Sequence, residues 1–328
     1  MTTTVMLRRH LGALLAVCTL ALPATATLAA DYPTKPVRLL VGFAPGGPTD
    51  LAARLVAKHL GEDLGQQFIV ENKPGAGGNI ATKDAAAAAP DGYTGLVAGI
   101  NLTINPWMTD DIHVDSRKDL MPVRIVAIAP TILVVRNDFP ARDFAQFMQE
   151  VRAKPGQYNS AAPGSSPLLA TELFSQQTGT RITPVPYKGA SPAMVDLIAG
   201  HVDLSFATLG SVLPHIKSGK VRALAIAAPE RDAQLPEVPT FAEQGMPDFR
   251  FDAWAGLLMP AGTPQAAIDT LAASLDKLAK SPQFEKQVLE LGMKPVTDDS
   301  PQAFAKTIDQ ELELYRGLAG PVRAKMAR

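Results

Sequence analysis

The chain has 328 residues with 31 basic and 32 acidic side chains, a formal net charge of −1, and a single cysteine. Such a balance lacks the concentrated basic face that nucleic acid demands, and one cysteine cannot build a disulfide framework. The length suits two domains of ordinary size, and after residue 30 no run approaches the ~18 apolar residues of a membrane span.

Residues 1–30 read as a secretory signal. Arg8 and Arg9 form a positive start, Leu11 to Leu22 an apolar stretch too short to cross a bilayer, and small residues offer cleavage after Ala26, Ala29 or Ala30. The residues around Arg8 and Arg9 fit a twin-arginine signal poorly. Val17 is too bulky to precede a lipoprotein cysteine at Cys18. Cleavage would remove two basic and no acidic side chains, moving the net charge to about −3. It would also remove Cys18, leaving an exported protein without thiol chemistry.

The remainder alternates short β-branched runs with amphipathic ones. Val37–Val41 predicts a strand, then come a Gly/Pro loop and a helix over Leu51–Leu60, a strand at Gln67–Val70, a helix at Ile80–Ala88 and a strand at Thr94–Gly99. This βαβαβ rhythm implies a parallel sheet covered by helices. The apolar runs Ile125–Ile128 and Thr131–Val135, separated by a proline break, look like a chain crossing between domains. A second series follows: helix Phe144–Ala153, strand Tyr158–Ala161, helix Leu168–Thr178, strand Ile182–Val185, helix Pro192–Ala199, and strands Leu204–Thr208 and Ala223–Ala227. Phe251–Leu258 reads as a return crossing, and helices Pro264–Lys280 and Pro301–Leu318 finish the chain. Thr263-Pro264 and Ser300-Pro301 are helix-start signals: the hydroxyl caps free amides and proline loses nothing at the first helical position. No internal repeat stands out.

The loop Gly42 to Asp50 joins the first strand to the first helix, and ligands of open parallel sheets sit beyond such strand ends. Gly46 and Gly47 let backbone approach a ligand closely, and the free amides at the helix start attract negative charge. The same residues equally describe a tight turn with Asp50 as an early-turn helix acid. The glycine spacing of a dinucleotide loop and the Gly-Lys-Ser/Thr ending of a phosphate loop are both missing, which disfavours a nucleotide.

Val41 to Asp50 (VGFAPGGPTD) resembles the first signature of the tripartite tricarboxylate transporter receptors, also called the Bug family. Val70 to Ile80 (VENKPGAGGNI), Ala89 to Tyr93, Val185 to Gly189, Val238 to Thr240 with Glu243 and Gly245, Trp254 to Gly256, and Pro260 to Pro264 continue the similarity in family order. The resemblance covers the chain from about residue 33 to its end. It implies a type II periplasmic-binding α/β fold of the Venus-flytrap kind: two mostly parallel sheets flanked by helices and joined by two crossing strands. Residues 31–130 plus 252–328 would form a discontinuous first domain, and residues 131–251 the second. It also implies a receptor that holds a small organic carboxylate in the cleft, largely through loop amides and waters. The partner would be a membrane permease or, alternatively, a sensor kinase, with monomer as the expected state and no cofactor.

Carried over residue by residue, Phe43, Ala44, Gly46, Gly47 and Asp50 match the family's first ligand loop. Asn101, just past the third strand, is either a small polar cleft residue or a turn asparagine before Asn105-Pro106. Gly164, Ser165 and Ser166 stand at the comparable junction of the second domain; Pro167 suits the first helical position, which makes Ser166 the cap and Ser165 the better ligand candidate. Tyr187 would stack on a ligand or hydrogen-bond to it, and Lys188 is either the cation for a second carboxylate or a solvated lysine. Ala207 and Thr208 end another strand. Family members often carry an acidic residue where Ala207 stands, so an amino acid is a less fitting cargo.

A catalytic constellation is not legible. His59, His113, His201 and His215 lack metal-ligand spacing and read as solvated or satisfied histidines. There is no Gly-x-Ser-x-Gly elbow and no cysteine after residue 30. Asp110, Asp111 and Asp115 lack the glycine and bidentate glutamate of a calcium loop and read as a charged turn. Trp107 and Trp254 read as packing or hinge-adjacent aromatics.

Overall fold

Parallel strand triads, in which the first strand of each takes the central place, organise the chain. In the computed structural model, which describes residues 32–108, 114–187, 189–249 and 251–326 with side chains through residue 320, β1 (Val37–Val41) lies between β2 (Phe68–Asn72) and β3 (Thr94–Gly99). Segment 1–30, Asp110, Asp111, His113 and Lys188 lie outside the described residues. α1 (Pro48–Leu64) and α2 (Asn79–Ala86) make the crossovers. β1 is buried at Val37, Leu39, Leu40 and Val41, as a strand covered on both faces must be.

α3 (Asn101–Met108) leads to β4 (Leu120–Arg136), a 17-residue strand shared by both sheets. The two apolar runs expected there are one strand. Pro130 interrupts nothing, because it falls where β4 changes partners: Pro130 opposes Asp252 in the first sheet, and Thr131 opposes Thr208 and Ala227 in the second. A missing N–H costs least at such a seam.

After α4 (Phe144–Ala153) the second triad forms in the order β6-β5-β7, from β5 (Asn159–Pro163), β6 (Thr183–Tyr187) and β7 (Leu204–Thr208). α5 (Ser165–Thr178) and α6 (Ala190–Ala199) are its crossovers. α7 (Leu209–Lys217) leads to β8 (Val221–Ala227), which pairs with β4 opposite β7. β9 (Asp252–Pro260) starts at the seam and inserts between β3 and β4, antiparallel to both. α8 (Gln265–Ala279), α9 (Pro282–Glu290), the short β10 (Lys294–Pro295) on β4, and α10 (Pro301–Met326) complete the first sheet's side.

Of the two expected caps, Ser300 acts as one, its Oγ accepting from the Ala303 N–H at 3.1 Å. Thr263 does not. α8 begins only at Gln265, and the Thr263 hydroxyl donates instead to the Pro260 carbonyl at 2.8 Å, closing the turn that leaves β9.

Candidate ligand-binding site

A cavity of about 460 Å³ lies between the carboxyl ends of the two triads. Five helix starts reach it: Gly47 and Pro48 of α1, Asn101 of α3, Gly164 and Ser165 of α5, Ala190 of α6, and Thr208 with Gly210 and Ser211 around the start of α7. The first amides of a helix have no intrahelical acceptor and carry the positive end of its dipole. Such ends converging on one space favour a negatively charged guest.

On the first side, a buried carboxylate sets the loop. Asp50 is fully buried and accepts from the Gly46 N–H (2.8 Å), Arg54 Nε (2.9 Å) and Asn72 Nδ2 (2.8 Å). Asn72 Nδ2 also donates to the Phe43 carbonyl at 2.9 Å. Burial alone would raise the Asp50 pKa, but the bonds from Arg54, Gly46 and Asn72 with the Arg54 charge outweigh it and hold the carboxyl below its usual range. Asp50 therefore braces the loop from behind, and neither it nor Ala44 nor Gly46 lines the cavity. Gly46 has φ +86°, a left-handed conformation that favours glycine. Gly42 meets a different need: an added Cβ would stand 2.6 Å from the Cα of Gly78.

Asn101 is not a turn residue; it begins α3 and lines the cavity, with Nδ2 donating to the Gly77 carbonyl at 3.1 Å. Asn105 Nδ2 donates to the same carbonyl at 2.9 Å and to Asn79 Oδ1 at 2.7 Å. These two side chains draw the segment around Gly77 to the cavity edge.

On the second side, Gly164, Ser165, Ser166, Ala207 and Thr208 all line the cavity. Ser166 is not a cap. α5 starts one residue before it, Gly164 holds the cap position at φ +96°, and Pro167 is the third helical residue. Thr208 Oγ1 donates to Ser211 Oγ at 3.2 Å, and Ser211 Oγ donates to the Thr208 carbonyl at 2.7 Å, closing the first turn of α7. Tyr187 does not line the cavity. Its hydroxyl donates to Asp196 at 2.6 Å, and burial together with that carboxylate pushes the phenol up to about 12.

The floor is aromatic. Phe206 packs in the Phe174, Phe241 and Phe249 cluster, with ring centroids 5.1 to 6.4 Å away. Trp254 sits edge-on to Phe304 at 5.0 Å, and its Nε1 donates to Glu311 of α10 at 3.0 and 3.1 Å. Thr103 Oγ1 of α3 donates to the same carboxyl group at 2.6 Å. Burial pushes Glu311 up to about 7 despite those two bonds, with Asp252 adding to the rise.

Sequence reasoning missed Thr49, Gly77, Thr131, Ser211, Leu291 and Met293. Gly77 lies inside the motif from Val70 to Ile80, and Ser211 follows a strand end in the manner of a helix start, so both had a local signal. Leu291 and Met293 had none, because the turn after α9 reaches the cavity only through tertiary packing. No helix among the described residues is long and apolar enough to cross a membrane, and no group of three or more metal-ligating side chains occurs among them.

Two sheets joined through a shared strand, with a cavity at their strand ends, define a protein of the type II periplasmic-binding class, built to hold a solute. The model of the tripartite tricarboxylate transporter family receptor matches residues 52–318, and the chain belongs to that family of periplasmic solute-binding receptors. It is 35% identical to Protein BugT of Bordetella pertussis over 322 residues, covering 96% of this chain and 97% of BugT. MatC (Rpa3494) of Rhodopseudomonas palustris, solved with bound malate, is 31% identical with a TM-score of 0.74, over 88% of this chain and 100% of that one. Rpa4515 of R. palustris, solved with adipate, is 32% identical with a TM-score of 0.77, over 89% and 98%.

Proposed function

We propose that the protein is exported to the periplasm by its N-terminal leader, captures a small carboxylate-bearing metabolite in this cavity and delivers it to a membrane permease, without transforming it. The observation that carries the reading is the convergence of helix amino-termini from both sides on one space. A carboxylate there accepts N–H bonds from both triads, so the bound form gains contacts that an opened cleft lacks, and a ligand shifts that equilibrium by its difference in affinity. Malate bound in MatC and adipate bound in Rpa4515 support the ligand class. The domains then divide as 31–130 plus 252–328 and 131–251. The change of β4 partners after Pro130 and the start of β9 at Asp252 support that division.

Thermal unfolding of ligand-stripped residues 31–328 against a panel of carboxylates, amino acids and sugars tests the reading. A ligand at a hundred times its dissociation constant adds about 2.7 kcal/mol. We expect carboxylates alone to raise the melting temperature. Gly47→Val should abolish the rise with little change in the unliganded melting temperature, since the new Cβ has only the Ala44 carbonyl near it, at 3.7 Å. A rise from sugars instead, or an unaltered response in Gly47→Val, would remove the α1 loop from the site.

A further inference from the structure

The cavity carries more information than a preference for negative charge, because its polar and apolar parts are arranged unequally. Resting on the reading above, we infer that the cargo is an acid with an apolar body of about six carbons or more, aromatic or alkyl, without amino or hydroxyl substituents.

Most of the cavity surface is apolar. Trp254, Phe206, Ile104 and Met293 line it as buried residues, and Phe43 and Leu291 as half-buried ones. The floor is held in place: Phe206 lies within its phenylalanine cluster, and Trp254 is fixed by Phe304 and Glu311. Burial of apolar ligand surface against rigid walls is favourable in proportion to area. A volume of about 460 Å³ equals that of roughly fifteen waters at ~30 Å³ each. A four-carbon acid would leave most of these walls against water, and a larger apolar body covers them.

Several of the polar side chains lining the cavity are committed within the protein. Asn101 and Asn105 donate to the Gly77 carbonyl, and Thr208 and Ser211 bond within their own turn. Thr49, Thr131, Ser165 and Ser166 have no protein hydrogen-bond partner among the described residues, and all but Thr131 of β4 stand at the starts of α1 and α5, beside the free amides. Polar recognition is thereby concentrated at the helix starts, with Thr131 the one uncommitted hydroxyl elsewhere among the described lining residues. A hydroxyl on the body of a malate or citrate that lies away from those groups faces apolar wall, where an unpaired polar group is costly. An ammonium group meets Ala207 at the end of β7.

Titration calorimetry of the stripped chain with benzoate, adipate, malate, citrate and glutamate decides the matter. Benzoate or adipate should bind at least tenfold, and up to about a hundredfold, more tightly than malate, citrate or glutamate, the scale on which an added polar group is discriminated in an apolar pocket. Leu291→Asn, which makes one half-buried stretch of the cavity wall polar, should weaken benzoate and adipate severalfold more than it weakens malate. Malate, citrate or glutamate binding as tightly as both apolar acids would overturn the inference and leave the carboxylate-receptor reading standing. Unaltered benzoate and adipate affinity in Leu291→Asn would overturn it as well. Silence from every acid would sink the receptor reading itself, and this inference with it.

Discussion

At the scale of single residues, Asp50 shows how a signature residue serves a ligand without touching one. Its carboxylate takes three donors, and removing it deprives the Gly46 N–H of its acceptor and leaves Asn72 Nδ2 with the Phe43 carbonyl alone. Arg54 is half-exposed, so water recovers part of its loss. Asp50→Ala should therefore destabilise the protein by about 2 kcal/mol, a fall of roughly 4 °C in melting temperature. It should also weaken carboxylate binding, because the Gly46–Gly47 backbone loses its brace. The folded-state pKa is held low, so the contribution is present above the ordinary aspartate value of about 3.9 and fades as pH falls below it. Melting curves of variant and wild type should converge in acid; a difference that persists unchanged to low pH would show that the carboxylate charge is not what braces the loop.

At the scale of elements, Glu311 links three of them behind the cavity floor: α10 carries it, α3 supplies Thr103 and β9 supplies Trp254. Its pKa is raised in the folded state to about 7 from an ordinary 4.5, so between those values the folded protein binds more protons than the unfolded chain. Stability then falls as pH rises through that window, by about 3 kcal/mol in total at ~1.4 kcal/mol per pH unit, and is flat above it. Glu311→Gln removes the titration and keeps an acceptor for Trp254. The variant should match wild type near pH 5 and exceed it at pH 8; melting temperatures that differ equally at both values would show that Glu311 does not titrate there. Little of this arrangement was legible beforehand. β1, β3, α4 and β7 could be placed from periodicity because their apolar faces repeat locally. α3 and α7 were hidden by Pro106 and Pro214, which remove an N–H yet fall late enough in short helices for the first turns to form. The pairing of like triads, β2-β1-β3 and β6-β5-β7, left no sequence repeat, because it is a property of backbone order. Eight of the twelve described residues expected at the site line the cavity, for they follow strand ends where topology places ligands. The expectation for Tyr187 could not foresee Asp196, a partner supplied by the following helix.

At the scale of the whole molecule, the two sides also meet away from β4. Gly210, in the first turn of α7, lies against the turn after α9: a Cβ on Gly210 would stand 2.3 Å from the Leu291 carbonyl oxygen, and one on Gly292 would stand 2.1 Å from the Gly210 Cα. Backbone meets backbone there, and Gly210, Leu291 and the neighbouring Met293 all line the cavity. A methyl group on Gly210 must push α7 away from that turn and so widen the space between the two sets of helix starts. Overpacking of this kind costs typically 1–3 kcal/mol, which a chain of this size tolerates. The larger effect falls on binding, because a carboxylate spanning the cleft needs donors from both sides at hydrogen-bond distance. Gly210→Ala should weaken carboxylate binding more than tenfold, while Gly317→Ala, where an added Cβ has no atom within 4 Å, should leave it unchanged. X-ray scattering separates this from simple damage to the fold: ligand should contract the wild-type protein, and Gly210→Ala should stay expanded at ligand concentrations that saturate wild type. Equal contraction in both would mean that the glycine contact does not limit closure.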